Sequence, residues 1–195
     1  MSDITDYGYG IYTIDAGYLR PKMAAIHLIE SEGRAAFVDT ANHAALTRAT
    51  AALKSRGIAP DCVDLIILTH IHLDHAGGAS AMMNAFPNAN LVVHPRGVRH
   101  MADPSRLVAG VKAVYGSDRA AELYGEIGPI SQDRIISAED NSVLTLGSRD
   151  LLFLDTPGHA NHHISIVDLE TSGVFTGDTF GIAYRELDVD GQAFV

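Results

Sequence analysis

Apolar and polar positions along this chain recur with two periods, and the switches between them mark its elements. Residues 11–14, 23–29 and 35–38 carry the short alternating or β-branched runs of strands. A turn over 17–21 separates the first two, and Glu32-Gly33 between the second and third is a hairpin signal. Asp39-Thr40-Ala41-Asn42 ends the third strand, with Asn42 placed to cap a helix over 44–56 that Gly57 and Pro60 stop. Residues 63–68, Val-Asp-Leu-Ile-Ile-Leu, form a near-continuous apolar run suited to a strand buried on both faces. A short helix over 78–86 and a strand over 90–94 follow, an order that predicts a parallel pair. Residues 95–124 read as two or three helices, and 129–137 as a connection with a short apolar stretch. Strands are expected at 142–146, 151–155, 163–168 and 174–176, with tight turns at Gly147-Ser148 and Thr171-Ser172-Gly173. Mixed strand and helix blocks around a buried sheet predict an α/β protein with helices on both outer sides of its sheets. No repeat or linker interrupts residues 1–195, which read as a single domain.

Composition narrows the partners. The net charge is −10, from 24 acidic against 14 basic residues, which disfavours nucleic acid, whose binding rests on Lys and Arg. A small-molecule substrate is the expected partner, with a homo-oligomer open. No run approaches the roughly 20 apolar residues of a membrane helix. Cys62 is the only cysteine, so no intrachain disulfide forms; it is expected as a small buried hydrophobe beside Val63. The acidic, polar start Met1-Ser2-Asp3-Ile4-Thr5-Asp6 lacks the basic and apolar regions of a secretory leader. A cytoplasmic location is the expectation.

The candidate chemistry is concentrated in Thr69-His70-Ile71-His72-Leu73-Asp74-His75-Ala76-Gly77-Gly78. Three imidazoles and a carboxylate directly after a buried strand are a ligand density that no ordinary core or surface requires. His70 and His72, two apart in an extended loop, point to one side and reach one ion. Asp74 shares that parity unless a turn toward the glycines redirects it, and adjacent His75 points elsewhere, toward a second ion. Gly77 and Gly78 are read as allowing a sharp backbone turn. Two later segments repeat a strand end, a turn and a displayed ligand: Asp155-Thr156-Pro157-Gly158-His159 and Thr176-Gly177-Asp178-Thr179. His159 is then the third ligand of the first ion, and Asp178, with two oxygens, bridges the pair.

These motifs and their order resemble the metallo-β-lactamase-fold superfamily, across essentially the whole chain. The resemblance implies an αββα sandwich and a mostly hydrolytic class of enzyme. It implies His70, His72 and His159 on one metal, Asp74 and His75 on the second, and Asp178 between them. Asp39-Thr40 is similar to the family's Asp-Thr-Gly, whose aspartate supports a ligand histidine; Ala41 replaces the glycine. The family places a last histidine for the second metal beyond the Gly-Asp segment, and residues 179–195 contain none. The C-terminal strands and helix of the family are therefore expected to be missing, and the second metal to be conditional. His162 and His163 are read as loop and strand-start residues rather than substitutes.

Three functions compete. A hydrolase uses a metal-activated water on an ester, thioester, lactone, amide or phosphodiester bond; zinc is the expected ion, two of them if the second site fills, with iron or manganese compatible. Asp74 is the candidate catalytic residue, orienting the nucleophile as well as binding metal. The family resemblance favours a lactone or thioester. A non-haem iron dioxygenase of the same fold keeps a very similar motif. A shortened module that binds metal for structure or assembly is the third. Among other histidines, His27, His43 and His100 read as structural, and His94 as a candidate neighbour of the site. Tyr18 and Tyr184 lie near loops within reach of substrate.

Overall fold

The computed structural model describes residues 4–180. In the first sheet, β1 (Ile4–Asp6), β2 (Ile11–Asp15), β3 (Ala25–Ser31) and β4 (Arg34–Val38) pair antiparallel. Helix α1 (Ala45–Arg56) then carries the chain over, and β5 (Val63–Ile67), β6 (Asn90–Val93) and β7 (Ile135–Ser137) add in parallel. The motif region forms α2 (Leu73–Ala76) and α3 (Ala79–Ala85), and α4 (Pro95–Ala102), α5 (Ser105–Tyr115) and α6 (Ser117–Tyr124) lie between β6 and β7. The second sheet is antiparallel, with β8 (Val143–Leu146), β9 (Arg149–Asp155), β10 (Ile164–Asp168) and β11 (Gly173–Phe175) in sequential order.

The two-residue period of β4 and β5 builds two cores at once. Ala35, Phe37, Ile66 and Leu68 pack with Ala49 and Leu53 of α1 and Met82 of α3. Ala36, Val38, Leu65 and Ile67 pack with Leu151, Phe153, Ile164 and Ile166 of the second sheet. Burial on both faces explains why 63–68 reads as a continuous apolar run. Phe37 stacks on Phe86 with ring centroids 5.5 Å apart, and burying such a side chain contributes about 2–3 kcal/mol. Helix α1 buries Ala45, Ala49, Ala52 and Leu53, the spacing of one helical stripe.

Several local expectations change. Asn42 does not cap α1: Ala44 holds the N-cap position, and the Asn42 amide donates to the Leu123 carbonyl at 2.8 Å, tying the β4 end to α6. A side chain that satisfies a helix donor in one context satisfies a distant carbonyl in another. The connection over 129–137 ends in strand β7, whose three residues find their backbone partners on β6, and β1 extends the other edge of the sheet. Cys62 is half-buried at the core rim rather than enclosed. Helices pack on the first sheet: α1 on β2 and β3, α3 on β5 and β6. On the second sheet, Val143, Leu152, Val167 and Val174 form one cross-strand row, and Val143 and Val174 are about half exposed among the described residues. No helix among those residues is long and apolar enough to cross a membrane.

Gly78 is helical, not sharply turned, with φ −87°. Its small size serves close approach: a Cβ there would lie 2.6 Å from the Thr40 carbonyl oxygen and 2.7 Å from that of Asn42. Gly78→Ala is therefore expected to destabilise the protein by roughly 1–3 kcal/mol, read as a fall in urea midpoint. Gly158→Ala, with open space around it, is expected to leave the midpoint in place. Equal midpoints for both variants would remove the packing argument.

Candidate metal centre

Strand ends from both sheets meet at one edge of the sandwich. Asp39 follows β4, Thr69 and His70 lie just past β5, and His94 follows β6. From the second sheet, Thr156 follows β9, His163 precedes β10 and Thr176 follows β11. Crevices beyond the carboxyl ends of parallel strands are where such folds place ligands. The Ile164 N–H donates to the Thr69 carbonyl at 2.8 Å and seams the sheets there. Asp39 adopts φ 60°, which turns its carboxylate inward. It accepts from the Thr69 N–H at 2.8 Å, the Thr69 hydroxyl at 2.9 Å and His75 Nδ1 at 2.8 Å.

The motif histidines converge. His72 Nδ1 lies 3.1 Å from His70 Nε2 and 2.9 Å from His159 Nε2. One imidazole nitrogen carries one proton or one lone pair, so it cannot satisfy both neighbours. The arrangement is that of three donors aimed at a common point. With metal–nitrogen bonds of about 2.0–2.1 Å in a tetrahedron, ligand nitrogens stand roughly 3.3 Å apart, close to the spacing found. Burial first, then His75 and His72, hold the His70 pKa well below its ordinary value. Burial first, then His159, lowers that of His72. Both rings are therefore neutral at pH 7, the form that binds a cation.

A second cluster joins His70, His75 and Asp178, with ligand atoms within 4.8 Å of one another. Asp178 Oδ1 lies 3.1 Å from His75 Nε2 and Oδ2 lies 3.5 Å from His159 Nε2. Its two oxygens thus face both clusters, as a bridging carboxylate does. The hydrogen bond from His75 is the chief reason that its pKa lies well below the carboxylate range. Asp74 stands apart from this cluster: its Oδ2 is 3.8 Å from His75 Nε2, and its side chain is 43% exposed. The reason is local. Helix α2 begins at Leu73, so the parity of the extended loop stops at His72. A cavity of about 760 Å³ opens beside this end of the site, lined by Tyr18, Met23, His27, Asp74, His75 and Asp178 among others.

His163, the strand-start residue before β10, is fully buried against the site. Its ring lies 5.1 Å from that of His70, and its Nε2 accepts the Asp178 N–H at 3.2 Å. Thr156 and Thr179 hydroxyls reach its Nδ1 at 2.9 and 3.0 Å. Gly177 passes so close that a Cβ would lie 2.6 Å from His163 Nε2, and its φ of 49° favours glycine in any case. Alternation puts His163 with Ser165, on the face opposite the apolar Ile164 and Ile166, so no local period marks it; nothing in the sequence points to Thr69. His162 stays in the loop, its ring 5.5 Å from that of His72. His94 Nε2 lies 3.2 Å from Asp155 Oδ1, at the root of the His159 loop. His27 is a structural histidine, bonded to the Thr13 hydroxyl at 2.8 Å, and the His43 side chain packs beside Gly125. Tyr18 is buried with its hydroxyl 3.1 Å from that of Tyr124. Tyr184 lies outside the described residues.

Two packed sheets, a helical layer and a histidine-rich edge define an α/β sandwich with a candidate metal site at its strand ends. The sequence profile of the metallo-beta-lactamase superfamily matches residues 19–192, and the chain belongs to that superfamily. The metallo-beta-lactamase fold-containing protein ST1585 of Sulfurisphaera tokodaii is 28% identical over 186 residues, which span 90% of this chain and 64% of that protein. The crystal structure of ST1585 superposes with a TM-score of 0.73 at 26% identity, covering 94% of this chain and 67% of that one. Atrochrysone carboxyl ACP thioesterase of Aspergillus fumigatus is 27% identical over 122 residues, 60% of this chain and 27% of the thioesterase. A class B3 di-zinc metallo-beta-lactamase from an Alaskan soil metagenome shares the fold, with a TM-score of 0.63 at 21% identity over 85% of this chain and 56% of that one. The chain thus spans less than two thirds of the length of either curated relative.

His75 supplies a test of the site's electrostatics. Burial lowers its pKa, but the Asp39 and Asp178 carboxylates outweigh burial and hold it at about 11, against an ordinary 6.5. A raised native pKa gives stability that is full below the unfolded value and lost as pH rises toward the native one. The depressed histidines act below pH 6.5, so the window above it isolates His75. Chelator-treated protein is expected to show a lower urea midpoint at pH 9 than at pH 7, with a smaller difference in Asp39→Asn. A midpoint that is flat or rises over this interval contradicts the assignment.

Proposed function

We propose that the chain is a metal-dependent hydrolase acting on an ester, thioester or lactone. The observation that carries this reading is the convergence of His70, His72 and His159 nitrogens beside a carboxylate whose two oxygens face both clusters. Imidazole and carboxylate donors in this number suit zinc, with iron or manganese compatible. A divalent ion held there supplies the Lewis acidity that brings the ionisation of water to about pH 7. His75 and Asp178, with Asp74 beside them, would hold a second ion.

The chain's own residues do the remaining work. Asp39 fixes the His75 ring through Nδ1, leaving Nε2 to face the site, the carboxylate–histidine arrangement that orients metal ligands. Asp74, partly exposed at the cavity wall, would accept a hydrogen bond from the attacking water and align it. The cavity gives an acyl group an apolar wall at Met23 and Phe175. The thioesterase relative supports a thioester within this class.

The test begins with metal content. At least one equivalent of zinc is expected in purified protein, together with turnover of 4-nitrophenyl esters, acyl thioesters or lactones. Chelation is expected to abolish turnover and zinc to restore it. His70→Ala is expected to lower kcat/KM on the order of 1,000-fold, the several kcal/mol that Lewis-acid stabilisation supplies. Less than one equivalent of metal, with His70→Ala as active as the parent, overturns the reading. Stoichiometric iron without zinc, with oxygen consumed, replaces it by the dioxygenase.

A further inference from the structure

The chain is acidic, with net charge −10, yet one side of the site is basic. Helix α4 starts directly after His94, at the edge where the ligands gather. Gly97 and Met101 form its buried face, and Arg96, Arg99 and His100, spaced three and four apart, share its outer face. Arg96 Nη1 donates to the Asn161 carbonyl at 3.1 Å, two residues past His159. Arg99 Nε lies 3.2 Å from His100 Nε2. Arg106 of α5 lies near enough to His100 to lower its pKa, after burial and Arg99.

His162 carries the strip inward to the His72 ring. Its pKa is pushed down to about 4 by burial first and His72 next, with smaller effects from His94 and His100. His72 and His159 are the exposed members of the first cluster, so the strip begins where that cluster opens to solvent. The nearby acids are engaged locally. Asp103 accepts from the Ser105 N–H at 3.1 Å and lies near Arg106, and Asp155 faces His94. Among the described residues, Arg96, Arg99 and Arg106 form no ion pair within 4.0 Å.

We propose that Arg96, Arg99 and Arg106, with His100 and His162, anchor an anionic group, a carboxylate or phosphate, on the part of the substrate that projects past His72 and His159. Taken with the hydrolase reading on which it rests, this makes the substrates anionic acyl compounds rather than neutral ones. Guanidinium forks match carboxylate and phosphate oxygens in pairs, and a cationic rim on an acidic protein concentrates anions at that side of the site. Arg20 and Lys22, which line the cavity beside Asp74, are the competing cations.

The test compares matched substrates on zinc-loaded protein. 4-Nitrophenyl acetate is paired with 4-nitrophenyl hemisuccinate, and the acetyl thioester of N-acetylcysteamine with acetyl-coenzyme A. The anionic member is expected to show a KM lower by roughly tenfold, an advantage that shrinks with added salt. The pair that shows it separates carboxylate from phosphate. Arg99→Glu/Arg106→Glu is expected to erase the advantage, and Arg99→Lys/Arg106→Lys to keep much of it. Metal content and circular dichroism check that the variants fold. In parallel, succinate and inorganic phosphate are titrated into metal-free protein and followed by backbone amide resonances over 96–106. Turnover without anionic preference, or a preference erased by Arg20→Glu or Lys22→Glu and untouched by the reversal of Arg99 and Arg106, overturns the anchor and leaves the hydrolase standing. Anion binding lost on charge reversal, with no turnover of any substrate, keeps the anchor and removes the hydrolase. Neither turnover nor binding removes both.

Discussion

The site depends on one carboxylate held in a costly backbone conformation. Asp39 sits in the left-handed region, φ 60°, and Ala41 two residues later does too, φ 48°. Each such non-glycine residue costs roughly 1–2 kcal/mol. The turn persists because Asp39 gains the Thr69 N–H, the Thr69 hydroxyl and the His75 ring as partners. Thr40 then donates its N–H and its hydroxyl to the His75 carbonyl, both at 2.7 Å. The ends of β4 and β5 are thereby locked to each other, and His75 is held through its ring and through its main chain. Strain at one loop is exchanged for fixed ligand directions in the next, as functional sites commonly arrange.

The remaining candidate ligands come from the other sheet. His159 and Asp178 stand on loops after β9 and β11, and His163 ties these loops together through Thr156, Thr179 and the Asp178 N–H. Among the described residues, the hydrogen-bond partners of His163 are hydroxyls and one N–H, none of which requires it to be charged. Its role is to place two ligand loops from one buried position, which burial and its lowered pKa favour. The cluster therefore has two supports of opposite chemistry, an anionic one under His75 and a neutral one under Asp178.

Much of this was legible in the chain. His70, His72 and His75 are dense enough to announce a site, and His159 and Asp178 repeat a strand-end pattern that residue chemistry makes meaningful. Asp74 was harder, because its direction depends on where α2 begins, and one residue of boundary changes the face a side chain takes. Asn42 illustrates a different limit: a cap and a tertiary hydrogen bond use the same amide. The Gly77-Gly78 pair suggested a turn, whereas Gly78 is small because Thr40 and Asn42 carbonyls lie against it, a contact between segments far apart in the chain. Strand β7 is three residues long and exists by pairing with β6, so no local period could reveal it. His163 escaped for the same reason, since its burial is a property of the assembled sheets.

His72 and His159 are 87 residues apart in sequence, yet their ring nitrogens lie 2.9 Å apart. An ion held between them is a covalent-like clip across that span, and a long closed loop is where a cross-link removes most freedom from the unfolded chain. The ligand set would thus act as a reversible staple between the two sheets. Its strength would follow ion concentration through mass action, so the stability of the sandwich, and not its chemistry alone, would report the surrounding metal supply.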